Sequence, residues 1–324
     1  MTGVLRVGPV VIHGRRITVR MSAGVEAYMR VLVIGGGSIS RFVVRQFVER
    51  GHQVTIYHRG TTEIELPSGV EHVHSEEASI PILRFPQDLL GRSFDLVIHM
   101  LAMGQDDAET AVASFRGRAA RLIVASSGDV YRAYGRLTGL EPGPVEPMPL
   151  TEESPLRAVL FPYRTVESGP RWIRNYEKIL VERVVLSNRE LPATILRLPK
   201  VYGGGKNDDL ATMYGARHHP QWRWTHGYIE NVATAIVLAA THSVAVGRIY
   251  NVGEEYTPPV AERLSKLPSS QIPVNSQPLN YDQDMDYDTS RIRSELGYRE
   301  IVPYEEGLRR SLRNHQAALE ERPA

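Results

Sequence analysis

Two rhythms of apolar and polar positions run along the chain. From Met29 onward, short continuous apolar runs rich in β-branched residues alternate with longer stretches whose apolar positions recur at helical spacing. RVLVIG, QVTIYH, VEHVH, FDLVIHMLA, RLIVASS, ATILRLP and RIYNVG read as strands. Between the first two, the spacing predicts a helix over 39–50, with Phe42, Val43 and Phe47 on one face and Gly51 closing it. Further helices are expected around Tyr176–Leu186, near Ile229–Ala240 and over the charged stretch Glu305–Glu321. Strand runs that lack alternation need cover on both faces, so the pattern predicts an α/β fold. The expected architecture is a Rossmann-like doubly wound parallel sheet with a smaller C-terminal substrate lobe.

The pattern also divides the chain. Residues 1–28 lie outside it as a β-prone extension, either a functional arm or an over-long start with Met21 or Met29 in its place. Its Arg15, Arg16 and Arg20 fit a solvated tail. Residues 29–202 form the expected nucleotide-binding domain, with 229–254 returning to it, and 203–228 and 255–324 make the substrate lobe. The prolines of EPGPVEPMP mark a loop, read as a rim over the site, and 267–280 is rich in Pro, Ser, Gln and Asn.

Composition narrows the function. The net charge is +1 with 23% charged and 42% apolar residues, so no global field draws the chain to nucleic acid or a membrane surface. Cysteine is absent, which excludes disulfides, thiolate catalysis and cysteine-based zinc sites. No apolar run is long enough to span a bilayer, and residues 1–30 lack a signal-peptide core, so a cytoplasmic protein is expected. Of 38 basic residues only Lys178, Lys200, Lys206 and Lys266 are lysines. The 11 histidines include the adjacent His218 and His219, and His72 and His74 on alternate strand positions, but no H-E-x-x-H; no metal is expected.

The clearest chemistry lies in IGGGSIS, which follows a strand and opens a helix. It reads G-x-G-x-x-S. Gly35 makes the tight turn, Gly37 admits a pyrophosphate, Ser38 and Ile39 lead into the helix, and Ser40 takes the third small position. Helix N-terminal amides then face the anion. An NAD site wants a carboxylate at the end of the second strand, where this chain has His58 and then Arg59. A guanidinium pairs with a 2′-phosphate, so NADP is the first expectation and NAD the second.

With that loop in place, VASSGDVYRAYG, YEKILVE, LRLPKVYGGG, WTHGYIENVATAI, GRIYNVGE and DTSRIRSELGY follow in an order that resembles the NAD-dependent epimerase/dehydratase branch of the extended short-chain dehydrogenase/reductases. The resemblance implies an oxidoreductase, epimerase or dehydratase acting on a small carbonyl, hydroxyl or nucleotide-sugar-like substrate. It places substrate orientation on Ser127, counted back from Tyr131, and ribose binding on Lys178, which is followed by Glu182. Further cofactor contacts fall at Glu76, Leu101, Ala102, Ser126, Pro199 and Val201. It also implies pairing into homodimers through helices. WRWTHGY, with Arg223, falls near the family's substrate pocket, where it can serve a sugar, a phosphate or plain helix packing.

The chain departs from the family at the tyrosine. Tyr-x-x-x-Lys puts phenol and amine on one helical face, but position 174 is Arg174, and Tyr176 lies two residues before Lys178. On a regular helix those side chains diverge by about 160°. Either the helix starts irregularly near Asn175 and Tyr176 swings in as the acid/base, or Tyr163 or Tyr131 supplies the phenol, or the site binds a nucleotide without turnover as a sensor or RNA-associated relative. The small net charge counts against RNA. Dehydratase members carry an acidic pair where this chain has Gly128 and Asp129, which argues against a full sugar-dehydratase site; Asp129 itself is read first as a turn cap.

Overall fold

The computed structural model describes residues 10–12, 15–17, 28–60, 65–75, 80–167, 170–203, 210–270, 272–275 and 278–320. All seven strand runs form strands of one sheet: β1 (Arg30–Ile34), β2 (Gln53–His58), β3 (Glu71–His74), β4 (Phe94–His99), β5 (Ala119–Ser127), β6 (Ala193–Leu198) and β7 (Ile249–Asn251). Every pairing is parallel, in the spatial order β3-β2-β1-β4-β5-β6-β7. Strand order reverses between β1 and β4, so a crevice opens above their carboxyl ends, the usual ligand position of such a sheet.

Alternation along the strands decides which helix covers which face. Val31, Val33, Ile56, Leu96 and Ile98 point to one side, under helices Ser38–Glu49 and Ile229–Thr241. Leu32, Ile34, Val97, Leu122, Val124 and Ile195 point to the other, under helices Gln105–Phe115 and Lys178–Ser187. A separate core joins Val130, Tyr131, Leu137, Leu150, Trp222, Met285 and Tyr287 beyond the carboxyl edge of the sheet. A short parallel pair, Lys200–Tyr202 with His226–Tyr228, links the two regions. In the N-terminal extension, Val10–Ile12 and Arg15–Ile17 form an antiparallel hairpin.

Helix boundaries follow the expected punctuation with one exception. Helix Ser38–Glu49 ends before Gly51, which takes a φ of +80°. The helix expected from Tyr176 begins instead at Lys178, after a 3₁₀ turn over Arg171–Asn175 and two extended residues. Glu177 caps it, its carboxylate accepting the Ile179 amide at 2.9 Å.

The phosphate loop has little freedom. Gly35 sits at φ +112°, and a Cβ there would lie 2.8 Å from Leu101 Cγ. Gly35→Ala is therefore expected to lower unfolding stability by about 1–3 kcal/mol, read from urea denaturation, because it adds a strained backbone and a clash.

Candidate functional site

The loop that turns from β1 into the first helix has the features an anion needs. Gly37 is extended and donates no side-chain cap, so the amides of the first helical turn remain free of side-chain acceptors. A Cβ on Gly37 would meet no protein atom within 4 Å, so the space above it is open. Ser40 is buried in the third small position, its hydroxyl without a protein partner. Leu101 packs against Gly35 across the switch point. At the end of β2 the His58 ring is buried and Arg59 is exposed. Glu76 lies outside the described residues.

The helix starts irregularly, at Lys178. Because Tyr176 precedes the helix on extended backbone (φ −64°, ψ 124°), the helical-wheel divergence does not apply. Its ring lies under the Lys178 ammonium, 5.5 Å from the centroid, and its hydroxyl lies near Ser127 and Asp129. Tyr163 joins the same group: its hydroxyl donates to Asp129 Oδ2 at 3.0 Å and lies 3.1 Å from that of Tyr134. Tyr131 does not. Its hydroxyl donates to Asn251 Oδ1 at 2.5 Å, and its ring carries the Arg197 guanidinium, so it is a core residue rather than a candidate phenol.

Lys178 is buried, and its ammonium donates to the carbonyls of Ala102, beyond the end of β4, at 2.6 Å and of Ala125, in β5, at 2.9 Å. Burial lowers its pKa to about 8, against the pull of Asp129, Asp107 and Glu182. This cation does not bring the Tyr176 phenol towards neutrality. Burial, then the Asp129 charge, holds the Tyr176 hydroxyl well above its ordinary range, and Lys178 faces its ring rather than its oxygen. Asp129 is itself shifted upward by burial, which Arg157 and the two phenols oppose. Its carboxylate accepts from the Tyr163 hydroxyl and belongs to the tyrosine group rather than capping the turn; the capping acceptor is Ser127 Oγ, 3.3 Å from the Asp129 amide.

Two cavities meet here. The smaller, about 210 Å³, is lined by Ser127, Asp129, Tyr163, Pro199, Val201 and Tyr287 among others. The larger, about 530 Å³, is walled by Trp222, Tyr281, Leu279 and Ile272, and Tyr134, Lys200 and Trp224 line both. Lys200 holds its ammonium 4.8 Å from the Trp224 ring centroid. At Gly128, where the family's dehydratases carry an acid, a Cβ would overlap the hydroxyl of buried Tyr287. An acidic side chain does not fit there.

Two buried ion pairs hold these groups in place. Glu177 receives Arg157 Nη2 at 3.1 Å and the Phe161 amide at 2.5 Å, and Arg157 Nη1 donates to the Val159 carbonyl at 2.6 Å and its Nε to that of Asp129. This fixes the loop that carries Tyr163, in which Phe161 takes a φ of +58°. Glu182 receives Arg197 at 2.7 and 3.0 Å and the Ser126 hydroxyl at 2.6 Å, bracing the end of β5 just before Ser127. Arg157, Tyr134 and Tyr287 escaped the sequence reading, since no local motif marks residues whose partners are distant in the chain.

A parallel sheet with an open glycine loop at its switch point, and a Ser/Tyr/Lys group beside it, defines a dinucleotide-binding protein of the short-chain dehydrogenase type. The chain belongs to the NAD dependent epimerase/dehydratase family, whose model matches residues 31–253. Its fold is shared by an epimerase from Methanothermobacter thermautotrophicus (18% identity, TM-score 0.66, 90% of this chain and 94% of that one). The UDP-glucose 4-epimerase of Thermotoga maritima, solved with UDP-glucose, is similar at 17% identity and TM-score 0.63, over 90% of this chain and 100% of that one. The NDP-hexosamine 5,6-dehydratase TunA is similar at 20% identity and TM-score 0.64, over 89% of this chain and 98% of that one. A search of curated proteins finds no match. No helix among the described residues is long and apolar enough to cross a membrane.

The buried lysine has a thermodynamic signature. Its pKa is about 8 when folded against 10.5 when free, so between pH 8 and 10 the unfolded chain binds more protons. Unfolding free energy should therefore rise with pH across that window, and Lys178→Met should remove this rise. Urea titrations of both proteins at pH 8, 9 and 10 measure it.

Proposed function

We propose that the protein is a dinucleotide-dependent oxidoreductase or epimerase that works on a carbinol or carbonyl of a nucleotide-sugar-like substrate. The observation that carries this reading is that Ser127 and Asp129 line the small cavity, with Tyr176 close to both and Lys178 over the tyrosine ring. Ser127 orients the reacting oxygen, and Tyr176 exchanges a proton with it. Gly35, Gly37, Ser38, Ile39 and Ser40 hold the pyrophosphate. Lys178, with Leu101, Ala102, Ser126, Pro199 and Val201 around it, borders the nicotinamide end. The bound dinucleotide supplies hydride transfer.

The raised acidity range of Tyr176 fits a phenol that stays protonated until its charge is compensated, and Asp129 and Tyr163 offer the proton a path away from it. Elimination of water is disfavoured as the main reaction, because Gly128 cannot carry the second acid. The larger cavity, with indole and phenol walls, suits a planar base or sugar ring of the part that does not react. Arg59, exposed beyond the end of β2, supports NADP as the preferred cofactor, with NAD second.

Two measurements test this. With a panel of nucleotide sugars and either dinucleotide, Tyr176→Phe should lower kcat by about 10²–10⁴-fold, the range for loss of a general acid/base, with little change in KM. Tyr163→Phe should cost far less; the reverse ranking would transfer the role to Tyr163. For the cofactor, Arg59→Ala should weaken NADP by roughly tenfold or more, the loss of one charge-assisted contact, and leave NAD unchanged. Equal NADP affinity in the two proteins would refute the assignment of Arg59.

A further inference from the structure

The parallel register of β2 and β3 does something the spacing of the histidines did not reveal. His58 pairs with His74 and Ile56 with His72, so all three imidazoles share one face of the sheet at its carboxyl edge. One ligand nitrogen from each lies within 4.8 Å of the others. His58 Nε2 faces His72 Nδ1 at 3.0 Å, and the His58 and His74 rings meet edge-on at 4.6 Å. The turn after β2 closes over them. Gly60 has a φ of +72°, and a Cβ there would lie 3.1 Å from the His74 ring, so the backbone leaves just the room that ring needs.

We infer that His58, His72 and His74 form a three-histidine site for a divalent transition cation of the zinc class. Nitrogens bound at about 2.0–2.1 Å around a tetrahedral ion sit about 3.3–3.4 Å apart, so small rotations of the two exposed rings close the set. Imidazole nitrogens without a carboxylate select zinc, cobalt, nickel or copper over magnesium or calcium. Ligation through Nε2 puts the His58 proton on Nδ1 and gives up the long Gly60 amide contact of 3.3 Å and the His58–His72 hydrogen bond of 3.0 Å. Three protein ligands leave the remaining position to water, as in sites that stay open to exchange. The site does not depend on the dinucleotide chemistry proposed above.

The test uses the full chain without a histidine tag, stripped with chelator and titrated with Co²⁺. One equivalent should bind with the strong visible d–d bands of four- or five-coordinate cobalt, and Zn²⁺ should displace it. The double variant His72→Asn/His74→Asn should bind more than about a hundredfold more weakly, beyond the effect of losing a supporting hydrogen bond alone. Both positions are exposed, and unchanged circular dichroism and Tm of the metal-free variant confirm that its fold is intact. Absence of saturable one-to-one binding, a weak six-coordinate spectrum, or equal affinity in the variant overturns the site. So does a variant that loses NADP affinity in metal-free buffer while the parent binds no cobalt, since the cluster would then be an anion cradle.

Discussion

The geometry of the site rests on the carboxylate of Glu177. It and Arg157 are fully buried, and such a pair is tolerable only when every charged atom finds partners. Glu177 finds them in the Arg157 guanidinium, the Ile179 amide and the Phe161 amide. Its own amide donates to the Met103 carbonyl, on the chain leaving β4. One side chain thus sets where the helix of Lys178 begins, keeps the preceding residue extended, and ties the Tyr163 loop to both. Tyr176 and Lys178 stand either side of it. The capped, extended start puts the Tyr176 ring against the Lys178 ammonium from different backbone than a helical spacing would use.

Around that point the chain divides its constraints between two pairs. Arg157 and Glu177 organise the loops that bear the phenols, while Arg197 and Glu182 organise the strand end that bears Ser127. Ser126, hydrogen-bonded to Glu182, and Ser127, facing the cavity, are neighbours on β5 that serve opposite faces. Lys178 lies close by, its ammonium donating to the carbonyls of Ala125 in β5 and of Ala102 beyond the end of β4. Its charge is maintained against burial by fixed dipoles and by three carboxylates at longer range. The same low-polarity surroundings that make the lysine easier to discharge make the tyrosine harder to ionise.

Much of this architecture was legible in the sequence because it depends on local periodicity. Continuous apolar runs such as RVLVIG can only be strands covered on both faces, and G-x-G-x-x-S between strand and helix has one common geometry. Ser127 and Lys178 were named through the family resemblance rather than through periodicity. The start of the helix was not legible: Glu177 ends it by contacts with Arg157 and Phe161, and helical spacing alone carried the count through Tyr176. Tyr131 was misleading for the same reason, since its Asn251 partner is 120 residues away. His72 and His74 were visible as alternate positions, but the register that brings His58 to them is a property of the sheet.

The contact between Gly128 and Tyr287 bears on how this branch of the family can change. Tyr287 comes from the C-terminal region and fills, with its hydroxyl, the volume that a side chain at 128 would need. A carboxylate introduced at 128 alone collides with a buried phenol, and removal of that phenol alone empties a packed core position beside Tyr131. Neither single step is neutral, so the two positions form an epistatic pair. A second acid at 128 therefore requires two coordinated substitutions, one at each of two positions far apart in the gene.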